Sequence, residues 1–159
     1  MGEGIEFPLT NEEIRILLTA IQQKYPLAVI GIEKIYIRKR PDNQRIGVRG
    51  SYFPNFHFLS GDIHLYAFPI DNQSNFLHGY TSEDRREAFF IPASKELTKF
   101  AAINTFLHEI AHHYWFNKTG ELNGEHVEKF CDNYAMKLAN ELDVSSGIQE
   151  LDKFIKNNY

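Results

Sequence analysis

The sequence predicts an α+β fold in a single domain, built on a small antiparallel or mixed sheet. Three observations carry this reading. The chain has 159 residues, the size of one ordinary domain and enough to bury a core without disulfides. An amphipathic helical stretch opens it, and a run of short β-type segments follows. After Ser94 the hydrophobic period changes from two to about 3.6 and stays there, so helices close the chain.

The elements follow in order. Thr10-Asn11-Glu12-Glu13 has the form of a capping box, with hydroxyl and carboxylate each satisfying a free N–H. Ile14, Leu17, Leu18 and Ile21 continue at helical spacing, predicting a helix over 11–24 that Pro26 ends. Residues 27–38, LAVIGIEKIYIR, are rich in β-branched side chains and predict a strand. Pro41-Asp42-Asn43-Gln44 is a turn. Short strands are predicted near 45–51, 56–59 and 62–68, and residues 69–85 as a long polar surface loop. Glu87 to Ile91 predicts a short strand ended by Pro92. Phe100, Ile103, Leu107, Ile110 and Tyr114 predict a long helix over 95–116, and Asn117 to Gly124 a turn. Val127, Cys131, Tyr134, Leu138 and Leu142 predict a second helix over 124–142. Ile148, Leu151 and Ile155 mark a short final helix.

Composition narrows the function classes. The net charge of −4 argues against a surface that coats nucleic acid, which wants a basic face. No apolar run approaches the length of a membrane span. The opening residues MGEGIEFPLT lack the basic and apolar regions of a signal peptide. The one cysteine, Cys131, has no partner for an internal disulfide, so a reducing, cytoplasmic setting is expected. Its place on the apolar stripe reads as a small core residue.

The chemistry concentrates in Leu107-His108-Glu109-Ile110-Ala111-His112-His113. His108 and His112 are four residues apart on a helix, so their imidazoles stack on one face, shared with Asn104 and Thr105. One small ion can meet both rings. Zinc takes nitrogen and oxygen ligands, and a catalytic site keeps three protein ligands with one position open. Glu109 lies between the histidines, where it is expected to act as general base on a water activated by the ion. The metzincin extension is absent, because Trp115 and Lys118 stand where it needs glycine and histidine. The next predicted helix offers Glu125, His126, Glu128 and Asp132, with Glu128 and Asp132 together on the face opposite the apolar one. His57, His64 and His78 read as surface or sheet residues. Tyr114, His113, Tyr80 and His78 are candidate oxyanion donors.

The Glu128-x-x-x-Asp132 pair resembles the glutamate-ligand zincins. That resemblance implies Glu128 as the third zinc ligand and Asp132 as the carboxylate that holds His108 by its other ring nitrogen. His126 is the rival third ligand. More narrowly, Leu107 to His112 and Glu128 to Ala135 resemble two motifs of the ImmA/IrrE-type metallopeptidases, over about residues 88–142. Phe130 departs from the usual second acidic residue, and Ala111-His112-His113 from the tighter Gly-His. The resemblance implies a zincin-like domain, Zn2+ as cofactor, and an intracellular bacterial or prophage protease. Its substrate would be a repressor or similar regulator, approaching as an added strand at a sheet edge such as 87–91. Three other functions stay open. A SprT-like, DNA-associated protease would use the basic cluster Arg38, Lys39, Arg40, Arg45 and Arg49, which otherwise reads as a solvated face. A non-catalytic zinc-binding regulatory module and a toxin acting on host protein are the others.

Overall fold

The computed structural model describes residues 4–55, 59–81 and 87–158. Residues 56–58 of the predicted strand at 56–59, residues 82–85 of the predicted loop, and His57 lie outside these residues. The architecture is α+β, with two small sheets where one was expected.

Strand β1 (Gly4–Glu6) leads into helix α1 (Asn11–Lys24), with both hydrogen bonds of the capping box formed at Thr10 and Glu13. The predicted strand at 27–38 divides. Pro26 opens a one-turn helix, α2 (Pro26–Val29), and only β2 (Ile32–Arg38) is extended. Proline fixes φ at a helical value where no N–H is needed, which overrides the β-branched composition of residues 27–30. Residues 45–49, read as strand, form a turn and an arm leading to β3 (Gly50–Asn55). Strand β4 (Ser60–Tyr66) follows, then β5 (Phe68–Ile70) and β6 (Phe76–Thr81). The polar stretch from Asp71 to Asn75 is therefore a tight turn inside a hairpin. Asp71 Oδ1 accepts from the N–H groups of Gln73 and Asn75, both at 2.9 Å, as an Asx turn does. Strand β7 (Ala88–Ala93) runs through Pro92, a residue tolerated on an edge strand.

One sheet has the order β1-β5-β6-β7 and is antiparallel throughout; the other has the order β2-β4-β3. In the second, β2 runs parallel to β4 and β3 antiparallel to it. Ile63 and Leu65 of β4 are fully buried against helix α3 (Lys95–Thr119), whose Phe106, Leu107 and Ile110 are equally closed to solvent. Ser94 caps the start of α3 and Gly120 ends it at φ 77, the left-handed value that favours glycine. This helix runs three residues beyond its predicted end at 116. A short link then returns the chain as α4 (Glu125–Glu141), and α5 (Ser145–Asn158) closes it. Among the described residues, no helix is long and apolar enough to cross a membrane.

Helix α4 packs on α3 through Ala111, Val127 and Cys131, all fully buried. Burial, with three nearby carboxylates behind it, pushes the Cys131 thiol up to about 12, so it stays protonated. Phe130 fills the rim of this interface, its ring centroid 4.2 Å from that of Trp115.

Candidate metal centre

Because α4 folds back along α3, residues one turn apart on one helix meet residues one turn apart on the other. His112 Nε2 lies 3.1 Å from Glu128 Oε1, and His108 Nε2 lies 3.0 Å from Glu128 Oε2. The two Nε2 atoms are 3.2 Å apart. His108 turns its other nitrogen, Nδ1, to Asp132 Oδ1 at 3.0 Å. His108, His112 and Glu128 thus form a group whose ligand atoms all lie within 4.8 Å of one another. Ligands of a tetrahedral zinc at about 2.1 Å stand roughly 3.4 Å apart, so the donors fit an ion of that size. Their chemistry fits as well, with two imidazoles and one carboxylate.

Glu109 is buried beside this group, with 6% of its surface exposed. Burial, and then the charge of Glu128, pushes its carboxyl up to about 8. A cation held alongside opposes that shift. His112 is held below the ordinary histidine range, first by burial and then by His108.

Strand β3 forms the far wall of the cleft. A Cβ built on Gly50 would fall 2.7 Å from Thr105 Cγ2 and 3.4 Å from Glu109 Cγ, so the glycine lets the strand's backbone press on α3 beside the general-base candidate. Because β3 is the edge of its sheet, it has backbone groups free of β4. Asn104, Thr105, Arg45 and Arg49 also line this cleft. The edge at 87–91, expected to take a substrate strand, lies in the other sheet as β7 and is not among the residues that line the cleft.

The structure brings together His108, His112, Glu128 and Asp132, with Glu109 beside them. It does not bring in His126, whose Nε2 pairs with Glu121 at 2.6 Å on the exposed start of α4. Nor does it put the suggested oxyanion donors into the cleft. His113 is fully buried, bonded to Tyr52 Oη at 2.6 Å and to the Ile30 carbonyl at 2.6 Å. Tyr114 stacks on Tyr134 with ring planes 1° apart. His78 is buried against Thr98 Oγ1 at 2.8 Å, and Tyr80 lies beside Arg49. His64 sits in β4, as expected of a sheet residue, near Arg38. The burial of His113 was readable in the spacing, since Phe106, Ile110 and His113 step along one helical face. The wall made by β3 was not, because no local signal says which strand will meet α3.

No protein-family model, no curated protein and no solved structure matches this chain.

Proposed function

We propose that the chain is a zinc-dependent metallopeptidase of zincin-like architecture that hydrolyses a peptide bond in a protein substrate. One observation carries the reading: His108, His112 and Glu128 converge their ligand atoms within 4.8 Å, next to the buried carboxyl of Glu109. His108 and His112 would hold the ion through Nε2 and Glu128 through its carboxylate. Asp132 accepts the Nδ1–H of His108, which fixes the tautomer that leaves Nε2 free to ligate and raises its basicity. A bound zinc ion supplies Lewis acidity for the scissile carbonyl and lowers the pKa of water from about 15.7 towards 7.

The chain's own residues do the rest. Glu109, its carboxylate favoured by the adjacent cation, accepts a proton from the attacking water and delivers it to the leaving amine. Burial also keeps bulk water from competing for that proton. Strand β3 offers main-chain groups along the cleft, so an extended substrate adds antiparallel to it and is held by its backbone. This arrangement suits limited cleavage of a regulator or repressor that can present an extended segment. The lone Cys131 fits a reducing, cytoplasmic setting.

The test combines metal analysis with a hydrolysis assay. Native protein should carry about one zinc per chain, in line with a three-ligand site. His108→Ala should lose it and Glu128→Ala should bind it far more weakly. Glu109→Gln should keep the metal and lose peptide cleavage by about 10²–10⁴-fold. Zinc retained in Glu128→Ala but lost in His126→Ala would overturn the ligand set. A biological effect that survives Glu109→Gln would make the chain a binding module and not an enzyme.

A further inference from the structure

The charged groups that line the cleft fall into two sets. Its acidic lining groups, Glu109 and Glu128, belong to the metal cluster, while its two arginines, Arg45 and Arg49, come from the arm that precedes β3. That arm is fastened along its length. Arg40 Nη1 donates to the carbonyls of Pro41 and Gln44. Ile46 and Gly47 lie on Gly79 of β6: a Cβ on Gly79 would fall 2.3 Å from Ile46 Cγ2, and one on Gly47 would fall 3.0 Å from Gly79 O. The Arg49 carbonyl accepts from Tyr66 N–H at 2.9 Å.

The two arginines differ in exposure. The Arg49 guanidinium lies over the rings of Phe68 and Tyr80, 5.9 and 5.3 Å from their centroids. Its Nε and Nη2 are buried with no hydrogen-bond partner. No described carboxylate pairs with this guanidinium. It lies where solvent screening is weak. Arg45 is exposed and likewise has no carboxylate partner among the described residues. One cation is thus fixed in the wall, and one is exposed among the residues that line the cleft.

Direction then decides which part of a substrate they meet. Gly50, the first residue of β3, touches Glu109, and β3 runs away from there to Asn55. A peptide added antiparallel to β3 points its C-terminal half toward the Gly50 end and the arm beyond it. We propose that Arg45, backed by the fixed charge of Arg49, forms a carboxylate subsite on the leaving-group side of the cleft. The substrate then carries an acidic side chain, or its own free C-terminus, within the first few residues after the scissile bond. This inference rests on the peptidase reading of the metal cluster.

The test uses the zinc-loaded full chain and two synthetic peptide libraries, identical except that one ends in a free carboxylate and the other in an amide. Cleavage positions are read by mass spectrometry against Glu109→Gln as the blank. An acidic-side-chain subsite enriches Asp and Glu about tenfold within three positions after the cut in both libraries, the discrimination of one charge-assisted hydrogen bond. A terminus-reading subsite confines cuts to the last few residues of the free-acid library only. In either case Arg45→Glu abolishes the preference, or turns it toward Lys and Arg, with zinc content and melting temperature unchanged. Cleavage without charge bias, or a bias that survives Arg45→Glu, overturns the subsite and leaves the peptidase reading standing. No cleavage above the Glu109→Gln blank in either library overturns both.

Discussion

His112 and His113 are neighbours in the chain, yet they live in opposite chemical worlds. His113 points into the core with both nitrogens engaged, Nδ1 accepting from the Tyr52 hydroxyl and Nε2 donating to the Ile30 carbonyl. His112 points to the cleft, where its Nε2 faces another imidazole nitrogen and a carboxylate. The first is a closed hydrogen-bond system, in which donors meet acceptors and nothing else is required. The second turns electron-rich atoms toward one another, which a divalent cation would stabilise and protein groups alone do not. One histidine ties α3 to β3 and to the residue that caps the end of α2; the next offers a lone pair.

Two substitutions break this contrast most sharply. His112→Ala should weaken zinc binding by more than the about 10–100-fold typical of an outer partner, while the melting temperature of the metal-free protein hardly moves. His113→Ala should do the reverse. It strips buried partners from Tyr52 and from the Ile30 carbonyl, at about 1–3 kcal/mol for each buried group left unsatisfied. Denaturant unfolding of the metal-free proteins and zinc titration of the folded ones measure both. Equal losses in both assays for both variants would mean the two histidines share one role.

Asp132→Ala sharpens the contrast at a smaller scale. The side chain is 72% exposed, so its removal should leave folding stability nearly unchanged. His108 then loses the group that selects its tautomer, and zinc affinity should drop by about 10–100-fold. Asp132→Asn, which can still accept the His108 N–H, should recover part of the loss in a competition titration with a chelator. An unchanged affinity in Asp132→Ala would make the His108–Asp132 contact an ordinary surface pair.

Most of the helical frame was legible in the sequence because its signals are local. The capping box at Thr10 and Glu13 needs only four residues to be read, and it forms as written. The i, i+4 spacing of His108 and His112 fixes their common face without any knowledge of the fold. Glu128 and Asp132 gained meaning only from a resemblance, yet a short link between two helices is what brings them round to the histidines. The errors lie where the outcome depends on partners far away or on competing local rules. Residues 27–30 have strand composition, but Pro26 fixes the first turn of a helix. Asp71 to Asn75 were read as part of a long loop because they are polar, although polarity is equally what a tight hairpin turn requires. The basic cluster reads as a solvated face, yet Arg40 bonds back to its own turn and Arg49 lies over Phe68 of β5 and Tyr80 of β6, a surface no local signal announces.

The smallest effect concerns a second buried histidine, His78, which is 1% exposed and bonded to Thr98. Burial, and then the charge of Arg49, pushes its pKa down to about 4 from an ordinary 6.5. The unfolded chain therefore binds more protons than the native one between these values, and stability rises with pH across that window. Lowering the pH from 6.5 toward 4 should weaken the fold through this group, by an amount of order 1 kcal/mol at pH 5. His64, His112 and His113 are also held below their ordinary value and act with the same sign, so the native protein alone does not isolate His78. His78→Gln does, because the amide can keep a bond to Thr98 without titrating. Its urea unfolding free energy should fall less steeply than the native protein's between pH 6.5 and pH 5. Identical slopes would mean that His78 finds a proton in the folded state, against the burial and the neighbouring Arg49 charge that should exclude one.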